Sequence, residues 1–272
     1  ARPGNGDELD GEDGGEDGGE GDADYPAAVR CYGNLLVLKA AFVRDLPSPV
    51  GFQKINASLA VLGAGLRGER RDQALAALAK LPPIPGRMEV VRGSSGPHQP
   101  GEPGPVGYVD YAHTPEAVSI ALHALREGGA KSIVCVVGCG GDRDPGKRPL
   151  MGAAAAELSD AVIVCDDNPR TEDPAAIRAA VLKGAREAMK HKETGKAAAK
   201  LDTDIREIGD RSAAIQAAVK IAREKPQPAA ILVAGKGHEG YQIIGREKRP
   251  FSDREALAAA LGIDSGAGSG KT

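Results

Sequence analysis

Short apolar runs alternate with longer stretches of helical spacing from about residue 86 to residue 262. Ser132–Val137, Ala161–Cys165 and Ala229–Ala234 are nearly continuous apolar segments rich in β-branched side chains. They are too short for helices and read as strands buried on both faces of a parallel sheet. Arg87–Val91 and Tyr108–Tyr111 are shorter candidates, and Tyr241–Ile244 reads as an edge strand. Helical patterns separate them: one opening with Thr114 as N-cap and Pro115 in the first turn, then Lys147–Leu158, Pro174 to about Lys190, Asp210–Ala222 and Asp253–Leu261. The alternation predicts an α/β fold, with a mostly parallel, Rossmann-like sheet and helices on both faces.

The earlier pattern is poorer. Leu35–Leu38 reads as a strand, and Ile55–Leu66 and Arg71–Leu81 carry helical spacing. One strand and two helices cannot enclose a core, so residues 27–85 read as the tail of a domain that begins before residue 1. Pro82–Gly86 is a stiff linker, Ser94–Gly107 a loop rich in glycine and proline, residues 86–262 a C-terminal domain and residues 263–272 a flexible tail. Residues 1–26 are dominated by acids and glycine, too poor in apolar surface to offset the entropy of ordering.

Charge changes the picture of the remainder. The first 24 residues hold ten acids and one arginine, a net of −9, so the overall −3 leaves +6 for the rest. A mildly basic body suits a small anionic substrate. No basic stripe interleaved with aromatics points to nucleic acid, and no apolar run is long enough to cross a bilayer. No signal peptide is visible. Cys31, Cys135, Cys139 and Cys165 form no CxxC pair; they read as buried reduced thiols in a reducing compartment, with no zinc site.

Candidate chemistry lies where the apolar runs end. Polar clusters follow them at Asp110–His113, Cys139–Asp144, Asp167–Arg170 and Gly235–Glu239. In a parallel sheet all four meet at one edge, where open α/β sheets bind ligands. A carboxylate, an amide and a guanidinium in Asp166–Arg170 can grip both ends of an amino acid, the carboxylate taking its ammonium and the guanidinium its carboxylate. The same stretch also reads as a polar turn, since Asn-Pro is a turn signal. Arg143 is either a carboxylate clamp or one half of a surface ion pair with its acidic neighbours. His113 either meets a nucleotide or simply starts a helix. His238 and Glu239 lack further metal ligands, and Glu239 is better suited to accept from an ammonium. Two phosphate-loop look-alikes fail: Gly141–Lys147 is followed by Arg148 where a hydroxyl is required, and the terminal stretch begins with Ser265 and has no helix after it. Both failures argue against a free-standing NTPase.

Five motifs in order, Gly86-Arg87-Met88-Glu89, Asp110–Pro115, Gly138–Gly152, Asp167-Asn168-Pro169-Arg170 and Gly235–Glu239, resemble the Mur ligases over about residues 47–262. The resemblance is strongest to the members that add diaminopimelate. It implies a parent with a UDP-sugar domain, a central ATPase domain and a C-terminal domain that binds the incoming amino acid. This chain would hold the end of the second and all of the third. ATP and Mg2+ would be bound mainly by the central domain, which carries the family's phosphate loop and carbamylated lysine. The resemblance places Arg143, Asp167, Asn168, Pro169, Arg170, Gly235 and Glu239 at the meso-diaminopimelate site. It places Arg87, Asp110 and His113 against the nucleotide, and it identifies no catalytic base and no metal ligand in this chain. The implied activity belongs to peptidoglycan precursor synthesis. ATP activates the free carboxylate of UDP-N-acetylmuramoyl-L-Ala-D-Glu as an acyl phosphate, and the amine of diaminopimelate displaces phosphate. A monomer in the cytoplasm, or in a plastid stroma for an algal source, is expected, with neither nucleic acid nor membrane as partner. Gly51–Asn56 departs from the family in having Gln53, and the acidic tract suggests an insertion. The competing reading is a non-catalytic plastid scaffold of a transcription complex. Retention of Arg170 and of Gly235–Glu239 favours the enzyme.

Overall fold

The computed structural model describes residues 29–32, 35–38, 70, 73, 84–92, 104–194 and 203–263. The acidic tract, the Gly51–Asn56 motif, nearly all of the two upstream helical patterns, residues 94–103 and the tail from residue 264 lie outside these residues. The chain divides into two units, residues 1–47 with 53–79, and residues 48–52 with 80–272. In the first unit, β1 (Val29–Tyr32) and β2 (Leu35–Leu38) pair as an antiparallel hairpin.

The apolar runs of the second unit form the middle of a six-stranded sheet. Its strands are β3 (Glu89–Arg92), β4 (Val106–Asp110), β5 (Ser132–Val137), β6 (Ala161–Val164), β7 (Asp204–Glu207) and β8 (Ala229–Ala234). Their spatial order is β3-β4-β8-β5-β6-β7. β3 runs antiparallel to β4, and every other pair is parallel. Successive side chains of a strand point to opposite faces, and the two faces are covered separately. Ile133, Cys135, Val137, Val162, Val164, Ala230, Leu232 and Ala234 pack with helices α1 (Pro115–Glu127), α2 (Lys147–Leu158) and α3 (Pro174–Thr194). Val134, Val136, Ala161, Ile163, Ile231 and Val233 pack with α4 (Arg211–Glu224) and α5 (Asp253–Leu261). Two apolar faces are why these strands read as continuous hydrophobic runs. Each Ile, Leu or Val so buried contributes about 1.5–3 kcal/mol.

Helix starts follow local chemistry. Thr114 caps α1 by accepting from the Ala117 N–H at 3.3 Å, and Pro115 needs no partner in the first turn. Asp210 accepts from Ala213 N–H at 2.7 Å to cap α4, and Ser252 accepts from Glu255 N–H at 3.3 Å to cap α5.

The expectation of an edge strand at Tyr241–Ile244 needs refining. This segment is β9, but it pairs with β10 (Glu247–Pro250) in a separate antiparallel hairpin. The hairpin touches the loop after β6 through a bridge from Ile244 to Arg170. The thiols of Cys135, Cys139 and Cys165 are buried, free and pushed up to about 12 by burial, as expected of inert reduced cysteines; the Cys31 side chain lies outside the description. Among the described residues no helix is long and apolar enough to cross a membrane.

Candidate functional site

β4, β8, β5 and β6 are neighbours and parallel, so their carboxyl ends release four polar loops side by side. The turn from β6 into Asp167–Arg170 is the centre of the group. Asp167, Asn168 and Pro169 are buried, and Arg170 is half-buried. Their geometry depends on neighbours from the other loops.

Asn168 is held at both ends of its amide. Oδ1 accepts from Lys236 Nζ at 2.9 Å and from the Ile243 N–H at 2.9 Å. Nδ2 donates to Glu239 Oε2 at 3.0 Å. Lys236 is wholly buried. Its ammonium also donates to Glu239 Oε2 at 3.3 Å and pairs with Asp167 Oδ1 at 3.6 Å. Burial pushes the Asp167 carboxyl up from its ordinary value, while Arg211 and Lys236 draw it back down. Gly235 stands beside it with φ +119, and a Cβ there would lie 2.6 Å from Asp167 Oδ2, so the close approach requires glycine.

Arg170 has φ +52, a conformation that side chains other than glycine rarely adopt. The β9–β10 hairpin holds it there: Arg170 N–H donates to Ile243 O at 3.1 Å, and Gly245 N–H donates to Arg170 O at 2.7 Å. Its Nη1 donates to Gly141 O at 2.7 Å and reaches Asn168 O at 3.5 Å. Nε and Nη2 make no hydrogen bond among the described residues, which leaves one edge of the guanidinium fork open for a carboxylate. Gly141 N–H donates to Asn168 O at 2.9 Å, and a Cβ on Gly141 would sit 1.9 Å from Pro169 O. The two loops therefore lie backbone against backbone.

The loop after β5 is tied down by the residues that follow Arg170. Asp142, at φ +52, accepts from the Thr171 hydroxyl at 2.8 Å, and its own N–H donates to Glu172 Oε1 at 2.5 Å. Arg148 Nη2 donates to the same oxygen at 2.8 Å. The Arg148 hydrogen bond, followed by that of the Asp142 N–H, holds the Glu172 carboxyl below the usual carboxylate range. The Thr171 hydrogen bonds do the same for Asp142. Arg143 is exposed and donates to Asp142 O at 2.9 Å.

Beside this cluster the nucleotide candidates form a second group. Arg87 lies over the Tyr111 ring at 4.4 Å, and the Tyr111 and His113 rings meet edge-on at 4.6 Å. Arg87 and His113 are exposed. Asp110 is different. It is buried, and its two oxygens accept from Met88 N–H at 2.7 Å and Ala112 N–H at 2.8 Å. Burial raises its carboxyl from the ordinary value, against the pull of those two amides. Asp110 thus braces the backbone that presents Arg87 and His113.

The structure brings Asp167, Asn168, Pro169, Arg170, Gly235 and Glu239 into one constellation. Arg143 stands on its exposed margin, and Arg87, Asp110 and His113 stand in the adjoining group. Sequence reasoning gave no role to Lys236, although it lies inside the Gly235–Glu239 cluster, or to Glu172. It also passed over Arg211 and Asp253, joined by two 2.7 Å hydrogen bonds under the site. Nothing in the spacing of residues 42 apart signals that pair. Among the described residues no cluster of His, Cys, Asp and Glu could hold a metal ion.

Known proteins resemble this chain in the same region. A family model described as Mur ligase, glutamate ligase domain, matches residues 86–237. A UDP-N-acetylmuramoyl-L-alanyl-D-glutamate–2,6-diaminopimelate ligase of Bradyrhizobium diazoefficiens is 45% identical over 223 residues, 81% of this chain. The ligase of the same name from Caulobacter vibrioides is 45% identical over 224 residues. This chain spans 40% of the length of either relative. A solved structure of a ligase of that name is similar at 32% identity and TM-score 0.54, over 80% of this chain and 40% of the other.

Proposed function

The chain belongs to the Mur ligase family, and on that premise we propose that it is the amino-acid-binding part of an ATP-dependent ligase that adds meso-diaminopimelate to UDP-N-acetylmuramoyl-L-Ala-D-Glu. In this reading residues 86–262 form the amino-acid-binding domain, and residues 27–85 end the central ATPase domain. The observation that carries it is the free edge of the Arg170 guanidinium, in the same turn as Asn168, whose Nδ2 holds a carboxylate, Glu239, with an Oε1 that accepts nothing among the described residues.

Meso-diaminopimelate is a lysine with an additional carboxylate on its far carbon. Arg170 takes that carboxylate through Nε and Nη2, and Glu239 and Asp167 supply negative charge for an ammonium. Arg143, on the margin, has the reach to meet a second carboxylate. Lysine would leave the Arg170 fork without its partner, and leaving such a group unpaired is an effective way to reject an analogue. The chain's task is to hold the amine at the acyl carbon; ordering two reactants in this way can supply several kcal/mol of the barrier reduction. ATP, when bound, supplies the phosphoryl group that activates the dipeptide carboxylate. Arg87 and His113 are the exposed groups here that fit an anionic nucleotide, with Asp110 as their brace. Both Asp110 oxygens are engaged by backbone N–H groups, and Mg2+ in this reading is held mainly by the central domain.

The test uses the full-length protein with ATP and UDP-N-acetylmuramoyl-L-Ala-D-Glu, following phosphate release and product mass with meso-diaminopimelate or L-lysine. Turnover with diaminopimelate alone is expected. Equal turnover with lysine would refute the role given to Arg170, and turnover with neither would refute the ligase.

A further inference from the structure

Lys236 is the most deeply buried charge of the site and has no role in the reading above. It rests on that reading that the site binds an amino acid at all. A buried ammonium is costly unless it is paired and hydrogen-bonded. Lys236 meets that condition entirely within the protein. Its hydrogens go to Asn168 Oδ1 and Glu239 Oε2, and Asp167 Oδ1 stands 3.6 Å away. The ring of Tyr241 closes a further side, 5.6 Å from Nζ. No direction is left for a ligand to approach the ammonium.

What the ammonium does is choose the orientation of its neighbours. An amide can be turned either way unless its partners differ. With Lys236 Nζ and Ile243 N–H both donating, only oxygen fits at the inner position of Asn168, and Nδ2 is forced outward. One Nδ2 hydrogen then meets Glu239 Oε2, and the other bonds nothing among the described residues. Glu239 Oε2 is saturated by Lys236 and Asn168 together, so Oε1 is the free oxygen. The lysine joins three strand-end elements: the turn after β6, the turn after β8 and, through Asn168, the β9–β10 hairpin.

We infer that Lys236 is the positioning residue of this site: it touches no substrate, and it fixes Asn168 and Glu239 so that one amide hydrogen and one carboxylate oxygen remain for the incoming amino acid. Two carboxylates, Asp167 buried and Glu239 half-buried, surround one lysine, and Arg211 is already closed on Asp253. The charge deficit suits one added ammonium.

The test compares wild-type, Lys236→Met and Lys236→Arg full-length proteins, each checked for folding by thermal unfolding. The expected result for Lys236→Met is a rise of about ten- to hundredfold in KM for the amino acid, with KM for ATP unchanged. A merely structural lysine would lower the folded fraction and kcat without that split. Should the methionine variant fail to fold, Lys236→Arg retains the charge but replaces a point donor by a planar fork, and the same selective rise is expected. Wild-type crystals soaked with the amino acid give an independent reading. The amino acid nitrogen should lie within hydrogen-bonding distance of Glu239 Oε1, with no ligand atom that close to Lys236 Nζ. Wild-type amino acid KM in a folded variant, equal rises for both substrates, or a ligand atom on Nζ would overturn the inference. Absence of wild-type turnover would instead remove the ligase reading on which it stands.

Discussion

Arg211 and Lys236 are both wholly buried, and both bear on Asp167, yet the partners of Arg211 are fully engaged and those of Lys236 are not. Arg211 donates Nε and Nη2 to the two oxygens of Asp253 at 2.7 Å, gives Nη2 also to Ala234 O at 2.9 Å, and points Nη1 at Cys165 Sγ at 3.4 Å. Both oxygens of Asp253 are engaged, and the residue is buried. Lys236 satisfies itself, but its partners keep something in reserve: one Asn168 hydrogen and Glu239 Oε1. The first pair ties α4 to α5 and the end of β8. The second leaves hydrogen-bonding capacity at a rim where four loops meet. A buried charge whose partners are all engaged marks architecture, and one whose partners keep unused hydrogen-bonding groups at a loop rim leaves capacity for a ligand.

The largest effect expected is on stability, at the closed pair. Arg211→Met leaves Asp253 charged and unpartnered, and the folded state should lose about 3–5 kcal/mol, measured by urea unfolding. Adding Asp253→Leu should restore much of it, since replacing both members of a buried pair is far less costly than removing one. In the fraction that remains folded, KM for the amino acid should move much less than in Lys236→Met. An equal change in both would erase the distinction between the two cations.

Gly141→Ala should come next. Its Cβ would meet Pro169 O at 1.9 Å, so one loop must shift. Overpacking of this kind costs about 1–3 kcal/mol, and displacement of Arg170 should lower kcat/KM for the amino acid by about a hundredfold. Wild-type kinetics in this variant would mean that the approach of the two loops does not set the site.

The smallest effect belongs to Glu172. Its folded carboxyl is held below its ordinary value by the Arg148 hydrogen bond and then by the Asp142 N–H. The stabilisation is therefore present above the unfolded carboxylate range, near pH 4, and is lost as pH falls through the lowered folded value. Glu172→Gln should lower Tm slightly near neutral pH, and the difference from wild type should vanish in acid. A difference that persists at low pH would remove the carboxylate from that role.

The parts of the molecule that were legible in the sequence share a physical cause. Ser132–Val137 and Ala229–Ala234 are buried on two faces, so their runs announce strands and their ends announce the site. β7 was not legible because Asp-Ile-Arg-Glu is a half-covered edge with no apolar alternation, and the exposed Glu247–Pro250 of β10 carries no hydrophobic signal. The same distinction holds within the site. Asp167–Arg170 and Glu239 are legible as candidates because they are polar residues in the turns that follow apolar strands. Asp110 was found for that reason too, but its oxygens turn inward to Met88 and Ala112, which only the fold reveals. Lys236 stood in the same stretch as Gly235 and Glu239, and no pattern distinguishes a buried lysine from a solvated one until its partners, Asn168 from a distant turn among them, are in place.

The most direct test of the account is the ratio of kcat/KM for meso-diaminopimelate to that for L-lysine, measured on the full-length protein and on Arg170→Ala. The account predicts a ratio of at least about a thousand in the wild type, falling toward unity in the variant, chiefly through loss of activity with diaminopimelate. A ratio that survives removal of the guanidinium would contradict it, because the second carboxylate would then be recognised elsewhere.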